Sequence, residues 1–395
     1  MMSPILLSVI ALCMHDGAAK VDPSLKQHWI FHPAHHDGAM VAEVGGRLKG
    51  SLGQGVDVVS GSHGACLVFD GSGIVAIEGG QDDQREHVPL GEMTVSAWVS
   101  VHSPQEWGGL VGLIQDNGSA EEGWLLGYRE DHFYFGLAGV ETDDADGLLT
   151  YLSAPEAFVL DRWYHVAGVY DGHRMSLWMD GVCVAESTEQ SGDIRYPARG
   201  SLVIGGYVDD NEFNPHQGSL QHIRLYDRAV PPSDMGDLVD AYPSMRNQPV
   251  PQSPLRILVG PYLQATASKE VTLMWETTRP TSGVIEYGQT AELGSTVESK
   301  QASLMHEMIV GGLQPETNYF YRVRSSDDTE AVQSEILTFQ TMIRPTAPVG
   351  FVVVGDTQNN PAVTTMMSTF AWSHRPHFIM HCGDLVGTGT VKREW

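Results

Sequence analysis

Alternation of apolar and polar positions, broken by short turn signals, runs through the first two thirds of the chain. The clearest stretch is Trp163 to Ser187, WYHVAGVYDGHRMSLWMDGVCVAES. Val166, Gly168 and Tyr170 share one face of a strand, and Asp171-Gly172 then turns the chain. Met175, Leu177 and Met179 follow on a second strand, and Asp180-Gly181 turns it again into Val182 to Ala185. A period of two marks a strand with one inward face, and Asp-Gly supplies the positive φ that a tight hairpin needs. The pattern predicts an antiparallel meander, housed most simply in a two-sheet sandwich.

Further along, VTLMWETT places Trp275 among alternating strand residues, GVIEYG reads as the next strand, and HEMIVGGLQPETNYFYRVRS ends in an extended run. The pattern then changes. GFVVVGDTQNN (Gly350 to Asn360) is a nearly continuous apolar run ending in Gly-Asp. PAVTTMMSTFAWSH (Pro361 to His374) is helix-compatible, with proline at its first position. HFIMHCGDLVGTG (His377 to Gly389) repeats the apolar run with a second Gly-Asp. Such runs predict parallel, buried strands joined by a helix. Two proline-rich stretches separate these blocks, Tyr242-Pro243 through Pro249-Val250-Pro251 to Ser253-Pro254, and Arg344-Pro345-Thr346-Ala347-Pro348. Proline favours extended, semi-rigid connectors. The expected organisation is a β-domain over 26–240, a linker over 241–255, a smaller β-sandwich over 256–342, and a strand-helix-strand unit over 348–395. The fold class is therefore mainly β, two sandwiches with a short α/β unit at the C-terminal end.

A chain of 395 residues exceeds one ordinary core, in keeping with several domains. The formal net charge of -26 excludes nucleic acid as a partner, since neutralising phosphates takes clustered Lys and Arg. Residues 1–19 hold an uncharged apolar stretch from Pro4 to Met14 and the small residues Gly17-Ala18-Ala19. They read as a signal peptide, which implies a secreted, cell-surface or periplasmic location. No stretch is long and apolar enough for a transmembrane helix. Apart from Cys13 the chain has Cys66, Cys183 and Cys382. Cys66 and Cys183 fall in one expected domain, as a disulfide or as two free thiols; spacing does not choose between these.

Several motifs carry a resemblance. CLVFDGSGIVAI, MTVSAWVSV, WYHVAGVYDG, LWMDGV, LVIGGY and the closing GSLQHIRLYDRAV recur, in this order, in a way that resembles laminin-G-like, concanavalin A-like jelly-roll domains. Members of that family bind glycans, bind proteins, carry calcium or merely space other domains, so the resemblance makes a glycan or matrix ligand one candidate and a pure spacer role another. Asp209 and Asp210, with Asn211 and Glu212, and the group Asp143, Asp144 and Asp146 offer acidic oxygens on expected loops. They are candidates for calcium, weighed against plain solvated loops. Trp107 and Trp124 are candidates for stacking on sugar rings, weighed against core packing.

The 256–342 block resembles a fibronectin type III sandwich. Leu313, Pro315, Thr317, Tyr319 and Tyr321 follow its Leu-x-Pro-x-Thr-x-Tyr-x-Tyr pattern, in which a tyrosine caps a corner by bonding nearby backbone. With VGPYLQ (Val259 to Gln264), TLMWET and IEYG, the block is similar to the N-terminal domain of purple acid phosphatases. The following segment resembles the start of a calcineurin-like metallophosphoesterase, with Gly355-Asp356-Thr357-Gln358 and Gly383-Asp384-Leu385-Val386 at its first two motifs. Two carboxylates at the carboxyl ends of parallel strands suit divalent cations. The resemblance implies that Asp356 binds one metal and that Asp384 bridges two, iron, zinc or manganese, with a phosphate ester as substrate. Gln358 stands where the general family has a histidine, and Gly387 where purple acid phosphatases have a metal-binding tyrosine. The later Asn-His motif and metal-binding histidines of the family have no counterpart up to Trp395, and His374, His377 and His381 read as structural. No catalytic residue beyond the metal ligands is assignable, and this portion alone is expected to be inactive. The expectation is an exported, metal-dependent phosphoesterase, present here as an N-terminal portion. The alternative is a secreted carbohydrate- or matrix-binding protein with a vestigial catalytic segment.

Overall fold

The computed structural model describes residues 22–31, 39–61, 64–78, 86–117, 120–141, 149–358 and 361–387. The signal-peptide segment and the group Asp143, Asp144 and Asp146 lie outside the described residues. The chain divides into two compact units, one ending at Ser253 and one beginning at Pro254.

Two antiparallel sheets of eight strands build the first unit. In the first sheet the central Met93–Val101 strand lies between Tyr164–Tyr170 and Gln217–Tyr226. Tyr164–Tyr170, Met175–Met179 and Val182–Ser187 form the expected meander, with Asp180 (φ 51°) and Gly181 (φ 83°) at the tight turn. In the second sheet Ala120–Arg129 pairs with Gly108–Asn117 and His132–Leu137. Alternation decides which side chains enter the core: Val95, Ala97 and Val99 of one sheet join the cluster that holds Trp124, Leu126, Phe133 and Phe135 of the other. Gly168 shares this inward face with Val166 and Tyr170. A Cβ on Gly168 would come within 2.4 Å of the Phe135 ring, which is why the strand carries glycine there.

The outward face of the first sheet is also covered. Tyr242, Met245 and Val250 pack with Trp98 and Trp163, and Ser219 Oγ donates to the Pro251 carbonyl at 3.2 Å. Much of the stretch read as an extended connector is thus bound to the sheet, with a short 3-10 turn at Met245–Asn247. Its apolar side chains had an apolar surface to cover, which proline content alone does not reveal. The cysteine alternative resolves in favour of free thiols. Cys66 and Cys183 lie on the Gly64–Asp70 and Val182–Ser187 strands, with four strands of the sheet between them. That separation is on the order of 20 Å, far beyond a disulfide.

The second unit opens with a six-stranded sandwich sheet. VTLMWETT and GVIEYG, read as two strands, belong to one bent element, Glu270–Gly288. Its register against Ser295–Gly311 shifts between Glu276 and Gly283. At the bend Arg279 is pinned to Asp327 and Glu330, both at 2.5 Å, so a stretch containing Pro280 stays within one element. Trp275 is fully buried, donates Nε1–H to Ser325 Oγ at 2.8 Å and stacks on His306. The Gln314 N–H donates to the Tyr319 hydroxyl at 3.0 Å, the corner expected from the tyrosine pattern.

Beyond the sandwich, Phe351–Val354 and Phe378–His381 pair in parallel, joined by the Pro361–Ser373 helix. The strand-helix-strand order and the parallel pairing match the sequence pattern, but the expected burial does not. Phe351 is 52% exposed and Phe378 46%, and they stack on each other at 5.2 Å. Among the described residues the two strands pair only with each other, and one helix cannot cover both faces of a two-stranded sheet.

Candidate functional site

The two Gly-Asp loops emerge side by side. Val354 and His381 are the last paired residues of the parallel strands, so Asp356 and Asp384 follow within two or three residues on the same edge. Both adopt left-handed backbone, Asp356 at φ 54° and Asp384 at φ 52°, and Gly383 lies at φ 127°. Aspartate tolerates this region better than most residues, which is one physical reason for its place in these turns. The loops are stitched by backbone. The Asp356 N–H donates to Gly383 O at 3.2 Å, and the N–H groups of Thr357 and Gln358 both donate to Asp384 O at 3.1 Å.

Side chains extend the link. Gln358 Nε2 donates to Asp384 Oδ2 at 3.4 Å, while Gln358 Oε1 is buried without a hydrogen-bond partner. The Thr357 hydroxyl donates to Leu385 O at 3.1 Å and lies 2.9 Å from His381 Nε2. Gly383 N–H points at His381 Nδ1 at 3.3 Å, so the tautomer that satisfies the whole set carries its proton on Nε2. His377 and His374 likewise bond backbone, of Gly350 and Phe370 respectively.

The oxygen donors on this edge are the carboxylates of Asp356 and Asp384, both exposed, and the Gln358 amide oxygen, which lacks a donor. Among the described residues no group of three or more His, Cys, Asp or Glu side chains converges as a metal site.

Other sequence candidates separate. Trp124 is fully buried and donates Nε1–H to the Tyr196 hydroxyl at 3.0 Å, a core role. Trp107 is half-buried on the outward face of the second sheet. There it touches Tyr134, Tyr151 and Tyr207 at ring separations of 5.9, 5.1 and 6.2 Å, with the Arg129 guanidinium over its ring at 4.5 Å. The hydroxyls of Tyr151 and Tyr207 both donate to Asp116 Oδ2, at 2.7 and 3.2 Å. Burial drives the Tyr134 hydroxyl well above the ordinary phenol range and holds it neutral. The sequence reading missed this aromatic set. Its signal was present in the outward register of Tyr134 and Tyr151, but a register argument needs the pairing.

Asp209 Oδ1 accepts from the N–H groups of Asn211 and Glu212 at 2.9 and 2.7 Å, and its Oδ2 accepts from the Asp116 N–H at 3.2 Å. The carboxylate ties its own loop to the Gly108–Asn117 strand. Asp210 is exposed beside it. Glu212 has its pKa raised, by burial first and then by Asp209.

The folds so described define a protein with a lectin-like jelly roll followed by a fibronectin-like sandwich. Residues 75–235 match the model of the concanavalin A-like lectin/glucanases superfamily, and residues 259–341 match that of the purple acid phosphatase N-terminal domain. Among curated proteins the chain is similar to pappalysin-1 of Mus musculus, 28% identical over 35% of this chain, and to pappalysin-1 of Homo sapiens, 25% identical over 35%. Each match spans 9% of the relative's length. Similar solved structures include domain 4 of AbnA, an extracellular arabinanase from Geobacillus stearothermophilus, in complex with arabinotriose. It has 19% identity and a TM-score of 0.39, covering 55% of this chain and 98% of that one. Trypanosoma rangeli sialidase is another, at 17% identity and a TM-score of 0.43, covering 58% and 34%. Among the described residues no helix is long and apolar enough to cross a membrane.

Proposed function

We propose that residues 350–387 open a metal-dependent phosphoesterase site of an exported protein, in which Asp356 and Asp384 hold metal and the jelly roll serves as a targeting module. The observation that carries this reading is the stitched pair of Gly-Asp loops on one edge of a parallel strand pair. They follow directly on a domain of the purple acid phosphatase N-terminal kind. That edge is where open α/β sheets bind ligands. Carboxylates take hard or borderline cations; iron, zinc or manganese is what the phosphoesterase resemblance implies, and a bound metal would supply Lewis acidity toward a phosphate ester. Among the described residues no third His, Cys, Asp or Glu side chain converges on the pair, so a binuclear site needs further ligands.

The test is a calorimetric titration of the full chain with Mn²⁺ and with Zn²⁺. One equivalent is expected to bind to the wild type and to be lost in Asp384→Asn. A wild-type chain that takes up no metal, or an Asp384→Asn variant that binds as well, overturns the assignment. Phosphatase assays with an aryl phosphate then ask whether the loaded chain turns over, and whether Asp384→Asn abolishes that turnover.

A second reading has its own support. Half-buried Trp107 and Tyr151, backed by the buried Tyr207 and within a domain that matches the lectin/glucanase superfamily, offer an aromatic and polar surface of the kind sugars use. Glycan-array binding by the full chain that Trp107→Ala removes, with no metal uptake, favours a carbohydrate- or matrix-binding protein instead.

A further inference from the structure

The outward face of the first sheet carries a second set of polar groups. From Met93–Val101 it presents Ser96 and Trp98; from Gln217–Tyr226, His222 and Arg224; from Tyr164–Tyr170, His165; and from Leu25–Trp29, His28. Register brings them together. Ser96 pairs with Arg224, Arg224 with His28, and Trp98 with both His165 and Gln221, next to His222. Directly paired positions lie about 5 Å apart and successive outward positions about 7 Å apart, so Ser96, Trp98, His222 and Arg224 make one compact patch flanked by His165 and His28. His222 is at φ 51°, where the strand bulges and turns two successive side chains to the same side.

The groups are buried, and all but Arg224 leave side-chain polar atoms unpaired. Ser96, Trp98, His165, His222 and Arg224 are each at most 9% exposed. Ser96 Oγ, Trp98 Nε1 and both ring nitrogens of His165 and His222 have no hydrogen-bond partner. Tyr242 lies over the patch, stacked on His222 at 3.5 Å and under the Arg224 guanidinium at 5.3 Å, and its hydroxyl accepts from Arg224 at 3.4 Å.

Chemistry then selects the ligand. In a protein with 49 acidic residues, Arg224 makes no salt bridge among the described residues. The carboxylate on the covering side, Asp180, instead pairs with Arg162 and Arg246 and accepts the His165 backbone N–H at 3.0 Å. A buried guanidinium without a counter-charge is costly. Its surroundings here are a hydroxyl, an indole N–H and imidazoles, all able to donate, and among the described residues no carboxylate pairs with it. A set of donors around a guanidinium fork is complementary to an oxyanion.

We infer that the patch beneath Tyr242 is a binding site for a small inorganic oxyanion of the phosphate or sulfate type, held by Arg224, Ser96, Trp98 and His222. The site lies on the jelly roll and uses no residue of the Gly-Asp loops, so it stands or fails apart from the phosphoesterase reading.

The experiment is equilibrium dialysis of the full chain against radiolabelled inorganic phosphate, with a chelator present so that no metal-borne phosphate contributes. One phosphate per chain is expected, displaced by sulfate but not by equimolar chloride, and unaffected by Asp384→Asn. Arg224→Met should weaken binding more than tenfold, and Ser96→Ala and His222→Phe several-fold each. His222→Phe keeps a ring against Tyr242, and with Ser96→Ala it carries the test if Arg224→Met does not fold. No phosphate retained by the wild type, or equal affinity in every folded variant, overturns the site.

Discussion

The Asp356 N–H donates to the Gly383 carbonyl at 3.2 Å, so the loop after one parallel strand is fastened to the loop after the other. The main chain therefore holds the two Gly-Asp loops against each other. Thr357 reinforces this from behind, bonded to Leu385 O and His381 Nε2. Replacing Thr357 by valine keeps the shape and deletes both bonds. Metal affinity measured by calorimetry should fall about tenfold or more, as for other groups that orient ligands, while the global unfolding midpoint changes little. Unchanged affinity would mean the loops keep their form without the hydroxyl.

The tyrosine corner makes a separate prediction for the sandwich of the second unit. In Tyr319→Phe the Gln314 N–H loses its acceptor, and an unmet donor costs about 1–3 kcal/mol. Urea unfolding should show a lower midpoint for this unit with an unchanged slope, the signature of lost stability without a change in exposed surface. A drop in midpoint below about 0.5 kcal/mol equivalent would show that water replaces the tyrosine.

The thiols give a third expectation. Burial pushes the Cys66 thiol up to about 12, so almost no thiolate exists at neutral pH, whereas Cys382 is exposed. In the native protein a thiol reagent should label Cys382 first, Cys183 more slowly, and Cys66 only after unfolding. Mass mapping under non-reducing conditions should find no Cys66–Cys183 link. Rapid native labelling of Cys66 would mean that its strand opens locally.

Local signals in the sequence carried the fold well. Asp180-Gly181, the Val166, Gly168 and Tyr170 face and the Tyr319 corner are nearest-neighbour facts, and each appears where the pattern put it. The two Gly-Asp loops were legible for the same reason. What escaped depends on partners distant in sequence. Tyr242 covering His222, the continuity of Glu270–Gly288 through Pro280, and Tyr151 and Tyr207 converging on Asp116 follow from sheet order and register. The half-exposed Phe351 and Phe378 were read as buried because a continuous apolar run implies neighbours on both faces, and here those faces are only partly covered.

Buried histidines make the first unit sensitive to acid. Burial holds His28, His165 and His216 at about 3, far below the ordinary 6.5, with Arg224 adding to the effect on His28 and His165. Between these values each is neutral when folded and protonated when unfolded, so unfolding takes up protons. The stability is fully present above about pH 6.5 and is lost as pH falls toward 3, at about 1.4 kcal/mol per pH unit for each histidine that stays neutral. Moving from pH 7 to pH 5 should therefore remove about 2 kcal/mol per histidine from the first unit. Urea titrations followed by circular dichroism at pH 7, 6 and 5 measure this. His165→Gln should reduce the pH slope whatever it does to the absolute stability, because glutamine has no proton to gain. A slope that the substitution leaves intact would mean that His165 protonates in the folded state at little cost, with the sheet and its Tyr242 cover yielding to admit the charge.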